Sequence, residues 1–179
     1  MTLIQQADPL AFDELYLRYK KPVYSYFLGL LNNSVAEEIL QETFLKILIK
    51  KNTFRFESKV KTWIWVIARN TLLDYWRSLD HKMENSFDTI YTSTGEENFE
   101  SQLDDLETSL LKKIDSNQLK ICIEELPKDQ QEIVFLHIQS ELSNQEISDI
   151  LIIGIGAIKS VLFRTKEKLI TCFKRGGHL

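Results

Sequence analysis

The stretch SNQEISDILIIGIGAIKSVLFRTKEKL, residues 143–169, decides how the chain folds. Ser143 followed three residues later by Glu146 is a capping box, so a helix is expected to start there. IGIG breaks that helix, and AIKSVLFRTKEKLITCF then sets apolar residues at helical spacing with Lys159, Ser160, Arg164, Lys166 and Lys168 beside them. Two short helices joined by a tight glycine-containing turn, the second cationic, have the form of a helix-turn-helix. Such a unit reads DNA because a helix fits the major groove, where its first turns reach base edges while cations engage phosphates. Lys159, Ser160, Phe163 and Arg164 stand at the positions for that work. The GIG turn is no phosphate loop, since no strand precedes it and no Gly-Lys-Ser/Thr follows.

Upstream of this unit, SNQLKICIEEL and PKDQQEIVFLHIQ read as two further helices, with Pro127 at the start of the second. Residues 79–111 lose helical periodicity and hold one lysine against nine acidic side chains, the pattern of an acidic linker. Residues 1–78 carry 11 Lys/Arg and 8 Asp/Glu, and residues 112–179 carry 10 and 9. The net charge of −4 therefore arises entirely in the linker, and both flanking segments are mildly basic.

The N-terminal segment is helical throughout. Asp8 can cap a helix opened by Pro9. In SVAEEILQETFLKIL, residues 34–48, Ser34 and Glu37 form a second capping-box pattern. Ile39, Leu40, Thr43, Phe44, Ile47 and Leu48 share one side of that helix, and Glu38, Gln41, Glu42 and Leu45 the other. The irregular KNTFRFES leads to a third helix, from about Lys59 to Ser78, in which Val60, Trp63, Ile64, Ile67, Thr71 and Leu72 are expected inside. Lys61, Trp65, Arg69 and Trp76 are expected nearer the surface. No segment reads as a strand, so the class is all-α: two small helical domains, an N-terminal bundle over 1–78 and a helix-turn-helix domain over 112–179, joined by the linker.

The aromatic third helix suits single-stranded nucleic acid. Bases stack on aromatic rings, an amide such as that of Asn70 can read an extruded base, and cations hold the backbone. Phe54, Phe56, Trp63, Trp65, Lys61, Arg69 and Asn70 supply those groups. Cys122 and Cys172 read as free thiols, and with His81, His137 and His178 they lack metal-ligand spacing, so neither metal nor cofactor is expected. No carboxylate pair, activated nucleophile or metal cluster points to an enzyme or a small-molecule substrate. The start has no basic segment followed by an apolar one, and LIIGIGAI is too short to span a bilayer, so neither export nor direct membrane insertion is implied.

Three stretches together resemble bacterial RNA polymerase sigma factors of the extracytoplasmic-function (ECF) group of the sigma-70 family. AEEILQETFLKIL is similar to the polymerase-binding helix of region two, and FRFESKVKTWIWVIARNTLLDYWR to its melting and minus-ten part. Residues 125–169 are similar to region four. The resemblance implies that Glu38, Gln41, Glu42 and Leu45 contact the clamp helices of the largest polymerase subunit. It further implies that Phe54 and Asn70 border a pocket for a flipped minus-ten base, with Lys61, Thr62, Trp63 and Arg69 along the adjoining strand path. Lys159, Ser160, Phe163 and Arg164 would face the minus-thirty-five element. The linker would run through the RNA exit channel, the polymerase beta flap would be a further partner, and an anti-sigma factor would regulate this cytoplasmic protein. Phe56 stands where the family commonly has glycine, Glu141 replaces its common turn glycine, and Gly154 a common proline. Read from its residues alone, the chain also fits a stand-alone helix-turn-helix regulator, which would bind duplex DNA unaided, or a helical interaction protein.

Overall fold

A computed structural model describes residues 1–79, 116–139 and 142–175. Its elements are α1 (Thr2–Gln5), α2 (Pro9–Leu30), α3 (Asn33–Lys50), a 3-10 turn (Lys51–Thr53) and α4 (Val60–Leu79). They are followed by α5 (Ser116–Glu124), α6 (Lys128–Gln139), α7 (Asn144–Leu151) and α8 (Ile155–Arg175). Of the linker expected at 79–111 only Leu79 is described; residues 80–115, 140–141 and 176–179 lie outside the described residues. Among those residues the fold is all-helical.

In the N-terminal lobe Asp8 caps α2, its carboxylate accepting the Leu10 and Ala11 amides, with Pro9 in the first turn. The capping expected of Ser34 belongs to Asn32 instead. Its side chain accepts the Val35 amide, and Ser34 already lies inside α3. Both residues suit a cap, and Asn32 wins because Leu31 and Asn32 are extended while Asn33 onward is helical. Ile39, Leu40, Thr43, Phe44 and Ile47 are buried as their spacing predicts, and Leu48 is left at the margin, 37% exposed. Tyr16 and Phe12 of α2 meet the Phe44 ring edge-on, tying α2 to α3.

The main departure concerns α4. Trp65, expected near the surface, is 1% exposed and packs edge-on against Tyr26 of α2, ring centres 5.4 Å apart. Thr62 is buried with it, whereas Trp63 is only half-buried. A helix packed on one side would have a single apolar stripe. α4 is flanked by α3, by α2 and by the C-terminal lobe, so its buried arc is wider than one stripe.

In the C-terminal lobe the Ser143 capping box forms as expected: the Ser143 hydroxyl accepts the Glu146 amide, and the Glu146 carboxylate accepts the Ser143 amide. The turn after α7 contains Gly154 as expected, with Ile152 in the left-handed conformation (φ 59°), but α8 is a long helix rather than a short one. Ser148 helps hold this turn by donating its hydroxyl to the Ile153 carbonyl. Cys122 of α5 and Cys172 of α8 are not free thiols. They form a disulfide, their Cα atoms 5.8 Å apart, between the first and last helices of the lobe. Both were read one at a time along the sequence, where a separation of 50 residues conceals their proximity.

The two lobes pack against each other. α6 lies across α2, and α7 packs on α4. Gly29 of α2 sits directly under the ring of Phe135 in α6, so close that a Cβ there would fall 2.5 Å from a ring carbon. Val134, Phe135 and Leu136 are all buried, and one continuous core joins both lobes.

Candidate nucleic-acid interface

The first surface lies on α3. Glu38, Gln41, Glu42 and Leu45 are all exposed, side by side on the face away from the core, with Leu48 and Ile49 extending the apolar strip. Glu42 accepts from Lys46 (2.9 Å), which also reaches Asp74 of α4 (2.9 Å), and these partners hold the Lys46 pKa above its ordinary value against the opposing effect of burial. A face combining fixed carboxylates with exposed leucine and isoleucine suits a protein partner rather than a nucleic acid.

The second surface starts at the turn before α4. The Gln5 amide donates to the carbonyls of Lys51 and Phe54 (3.0 Å each), clasping this turn from α1. Gln5 carries no motif, so sequence reasoning missed it. Phe54 is buried at 4% exposure, under Phe56 (4.8 Å) and beside Trp63 (5.5 Å). Phe56 is 58% exposed and holds φ 61°, a left-handed conformation that explains why glycine suits this position. Phe56 and Trp63 thus form the accessible part of an aromatic platform whose floor is Phe54.

Along α4, Asn70 is exposed, while Thr62 is buried and Lys61 half-buried. Arg69 turns toward the other lobe. Its Nε donates to the Glu132 carboxylate at 3.0 Å, and Tyr26 donates its hydroxyl to the same oxygen at 3.0 Å. Glu132 is wholly buried; loss of hydration pushes its carboxyl above the ordinary range, and the Arg69 charge and the Tyr26 hydrogen bond pull it partly back. Glu132 also escaped sequence reasoning, although the uninterrupted IVFL that follows it is the mark of a helix buried on all sides. Nearby, Lys59 reaches Glu146 at 3.1 Å. Hydrogen bonds from the Ser143 backbone and from Lys59, together with the charge of Lys61, hold the Glu146 carboxyl below its usual value.

The third surface is the start of α8. Arg164 is exposed, its Nε donating to the Ser160 carbonyl, and Lys159, Ser160 and Phe163 are half-buried along the same helix. Ile158, Val161, Leu162 and Thr165 anchor the opposite face in the core. A cleft of about 400 Å³ lined by Arg164, Lys168, Arg175, Glu125 and Glu167 lies further along α8, and its mixed charges select no anion. No cluster of metal-ligating side chains occurs among the described residues.

Aromatic platform, exposed asparagine and helix-turn-helix are together the groups of a nucleic-acid-binding protein. The profile for Sigma-70 region 2 matches residues 15–82, and that for Sigma-70 region 4 matches residues 116–169. The chain is 32% identical over 169 residues to the ECF RNA polymerase sigma factor SigM of Bacillus subtilis, covering 93% of this chain and 98% of that one. It is 28% identical over 172 residues to the ECF RNA polymerase sigma-E factor of Escherichia coli K12, covering 93% and 88%. Its fold is that of the sigma factor RpoE of Bartonella quintana, solved with the anti-sigma factor NepR (TM-score 0.68, 23% identity, 92% and 97% coverage). CnrH, solved with the cytosolic domain of CnrY, matches at TM-score 0.68 and 16% identity, covering 97% and 96%. The chain belongs to the ECF group of the sigma-70 family, and it is a transcription initiation factor that directs RNA polymerase to promoters.

Proposed function

We propose that the three surfaces divide the work of initiation. The exposed side of α3, with Glu38, Gln41, Glu42 and Leu45, docks on the clamp helices of the largest polymerase subunit, and the beta flap takes the C-terminal lobe. Lys61, Thr62, Trp63 and Arg69 line the path of the melted minus-ten strand. Asn70 receives a flipped base beside the aromatic platform that rests on Phe54. Capture of that base offsets the few kcal/mol that unstacking costs, which couples recognition to melting. Lys159, Ser160, Phe163 and Arg164 read the minus-thirty-five element in the major groove. Residues 1–78, 79–111 and 112–179 serve as region two, linker and region four. The protein acts in the cytoplasm without catalysis of its own, under an anti-sigma factor of the kind solved with RpoE. Among the described residues no helix is long and apolar enough to cross a membrane.

The observation that carries this reading is the exposed row of Glu38, Gln41, Glu42 and Leu45 opposite the buried Ile39, Leu40, Thr43, Phe44 and Ile47. Apart from the Glu42–Lys46 pair, these side chains make no contribution to the buried core of their lobe. Gel filtration with bacterial core polymerase tests it: the protein should co-elute and Glu42→Lys should not. Co-elution of Glu42→Lys at the unsubstituted level would remove this face from the interface. Tight duplex binding without polymerase association would favour a stand-alone regulator.

A further inference from the structure

We infer that Phe56 is a stacking site for a second unpaired base of the melted promoter strand, separate from the base received by Asn70, and that this site accepts any of the four bases. The inference rests on the minus-ten reading of α4 given above. Phe56 holds φ 61°, a conformation in which a bulky side chain is strained and glycine is not. It is also 58% exposed, so a large apolar ring stands in water on the turn before α4. Covering Phe54 accounts for neither feature, because a leucine would cover it as well. Phe54 meets the Phe56 ring at 67° rather than flat, and at this exposure a face of the Phe56 ring is open to a base.

The turn that carries Phe56 is fixed before any strand arrives. Gln5 of α1 donates to the carbonyls of Lys51 and Phe54 (3.0 Å each), and the Phe54 ring is set against Trp63 at 5.5 Å. A ring resting on such a support loses little freedom when a nucleotide stacks on it. Distance separates this site from Asn70. Trp63 and Asn70 share a side of α4, two helical turns and therefore about 10 Å apart. Neighbouring stacked bases lie only about 3.4 Å apart, so a base on the platform is not the base at Asn70. The chemistry of the two sites differs as well. Asn70 offers an amide that reads the edge of a base, whereas a phenyl ring offers only a face, and every base has a face to stack on it. Arg55 and Glu57 stand on either side of Phe56 in the chain, both exposed and opposite in charge, so the attraction is stacking rather than charge.

Holoenzyme assembled from bacterial core polymerase and full-length variants tests the site. The probe is a fluorescein-labelled promoter fragment chosen by run-off transcription, opened beforehand by a non-complementary minus-ten segment and carrying an abasic residue at each unpaired position in turn. Phe56→Leu keeps Phe54 covered but has no aromatic face, and it should weaken binding of the intact fragment by about ten-fold. Phe56→Tyr, which keeps the face, should recover that binding. At one position, removal of the base should cost the unsubstituted holoenzyme the same factor and the Phe56→Leu holoenzyme nothing further, while exchange for any other base is tolerated. That position should differ from the one at which Asn70→Ala behaves in this way, and the loss should be equal at low and high salt. Equal binding by Phe56→Leu and the unsubstituted chain, or one position shared by both residues, would overturn the second site. Tighter binding by Phe56→Gly would also overturn it, since Phe56 would then be a cover over Phe54. Circular dichroism and co-elution with core polymerase show that each variant folds and docks. If no run-off transcript depends on the protein, the minus-ten reading itself fails, and the site fails with it.

Discussion

Helices α3 and α4 lie against each other in one lobe, yet their functional sides differ in access. The outer face of α3 is open along Glu38, Gln41, Glu42 and Leu45, whereas the cationic side of α4 faces acidic groups of the other lobe at Arg69 and Lys59. The difference does not come from amphipathicity within the N-terminal bundle. It comes from the C-terminal lobe: α7 packs on α4 and Glu132 of α6 binds Arg69, whereas the outer face of α3 stays exposed.

The largest break in that contrast is expected from Arg69→Ala. It leaves the Glu132 carboxylate buried without its cation, which costs a buried pair about 3–5 kcal/mol. Scattering should show separated lobes at unchanged helicity; lobes that stay together would mean the Phe135 packing suffices. Glu42→Lys attacks the open side instead, and a residue central to an interface loses about 100-fold in affinity on such a change. Its effect should fall on polymerase association and leave the scattering profile as it was.

Asn70→Ala separates strand capture from docking. Asn70 is exposed and makes no contribution to the core, so folding and polymerase association should persist while open-complex formation, read by permanganate footprinting, falls by about ten-fold. Loss of association in this variant would make Asn70 structural.

A pH series sharpens the comparison further. Burial raises the Glu132 carboxyl above its ordinary value, so the docked form binds a proton more readily than the open one. Docking is then fully present below the ordinary glutamate value of 4.5 and weakens as the pH rises through the shifted value. Arg69 and Tyr26 face this carboxyl from the N-terminal lobe and Asp129 from its own helix, and Glu132→Gln should flatten the profile. Glu146 runs the opposite way: its lowered value means that its support for the cap and for Lys59 is lost as the pH falls. The smallest effect is that of Ser143→Ala, which removes the α7 cap at about 1 kcal/mol, measurable as a lower thermal midpoint with promoter specificity intact.

What could be read from the sequence was what is decided locally. The Ser143–Glu146 box, the Asp8–Pro9 start and the buried side of α3 each depend on residues within a turn or two of one another. The exposure of Glu38, Gln41, Glu42 and Leu45 followed from the same periodicity. Trp65 was misplaced because its burial depends on Tyr26 and on a second lobe that the local pattern does not contain. The Cys122–Cys172 bond and the Glu132 junction escaped for the same reason, since their partners lie 50 and more than 60 residues away. Phe56 was noted as an exception to a common glycine, and its left-handed backbone accounts for the preference without requiring the glycine.

The most direct measurement is run-off transcription from genomic promoter fragments by core polymerase with and without this protein. The account predicts discrete transcripts that require the protein and disappear with Glu42→Lys. Transcripts that do not depend on the protein, or a chain that binds duplex DNA alone and never associates with polymerase, would contradict it.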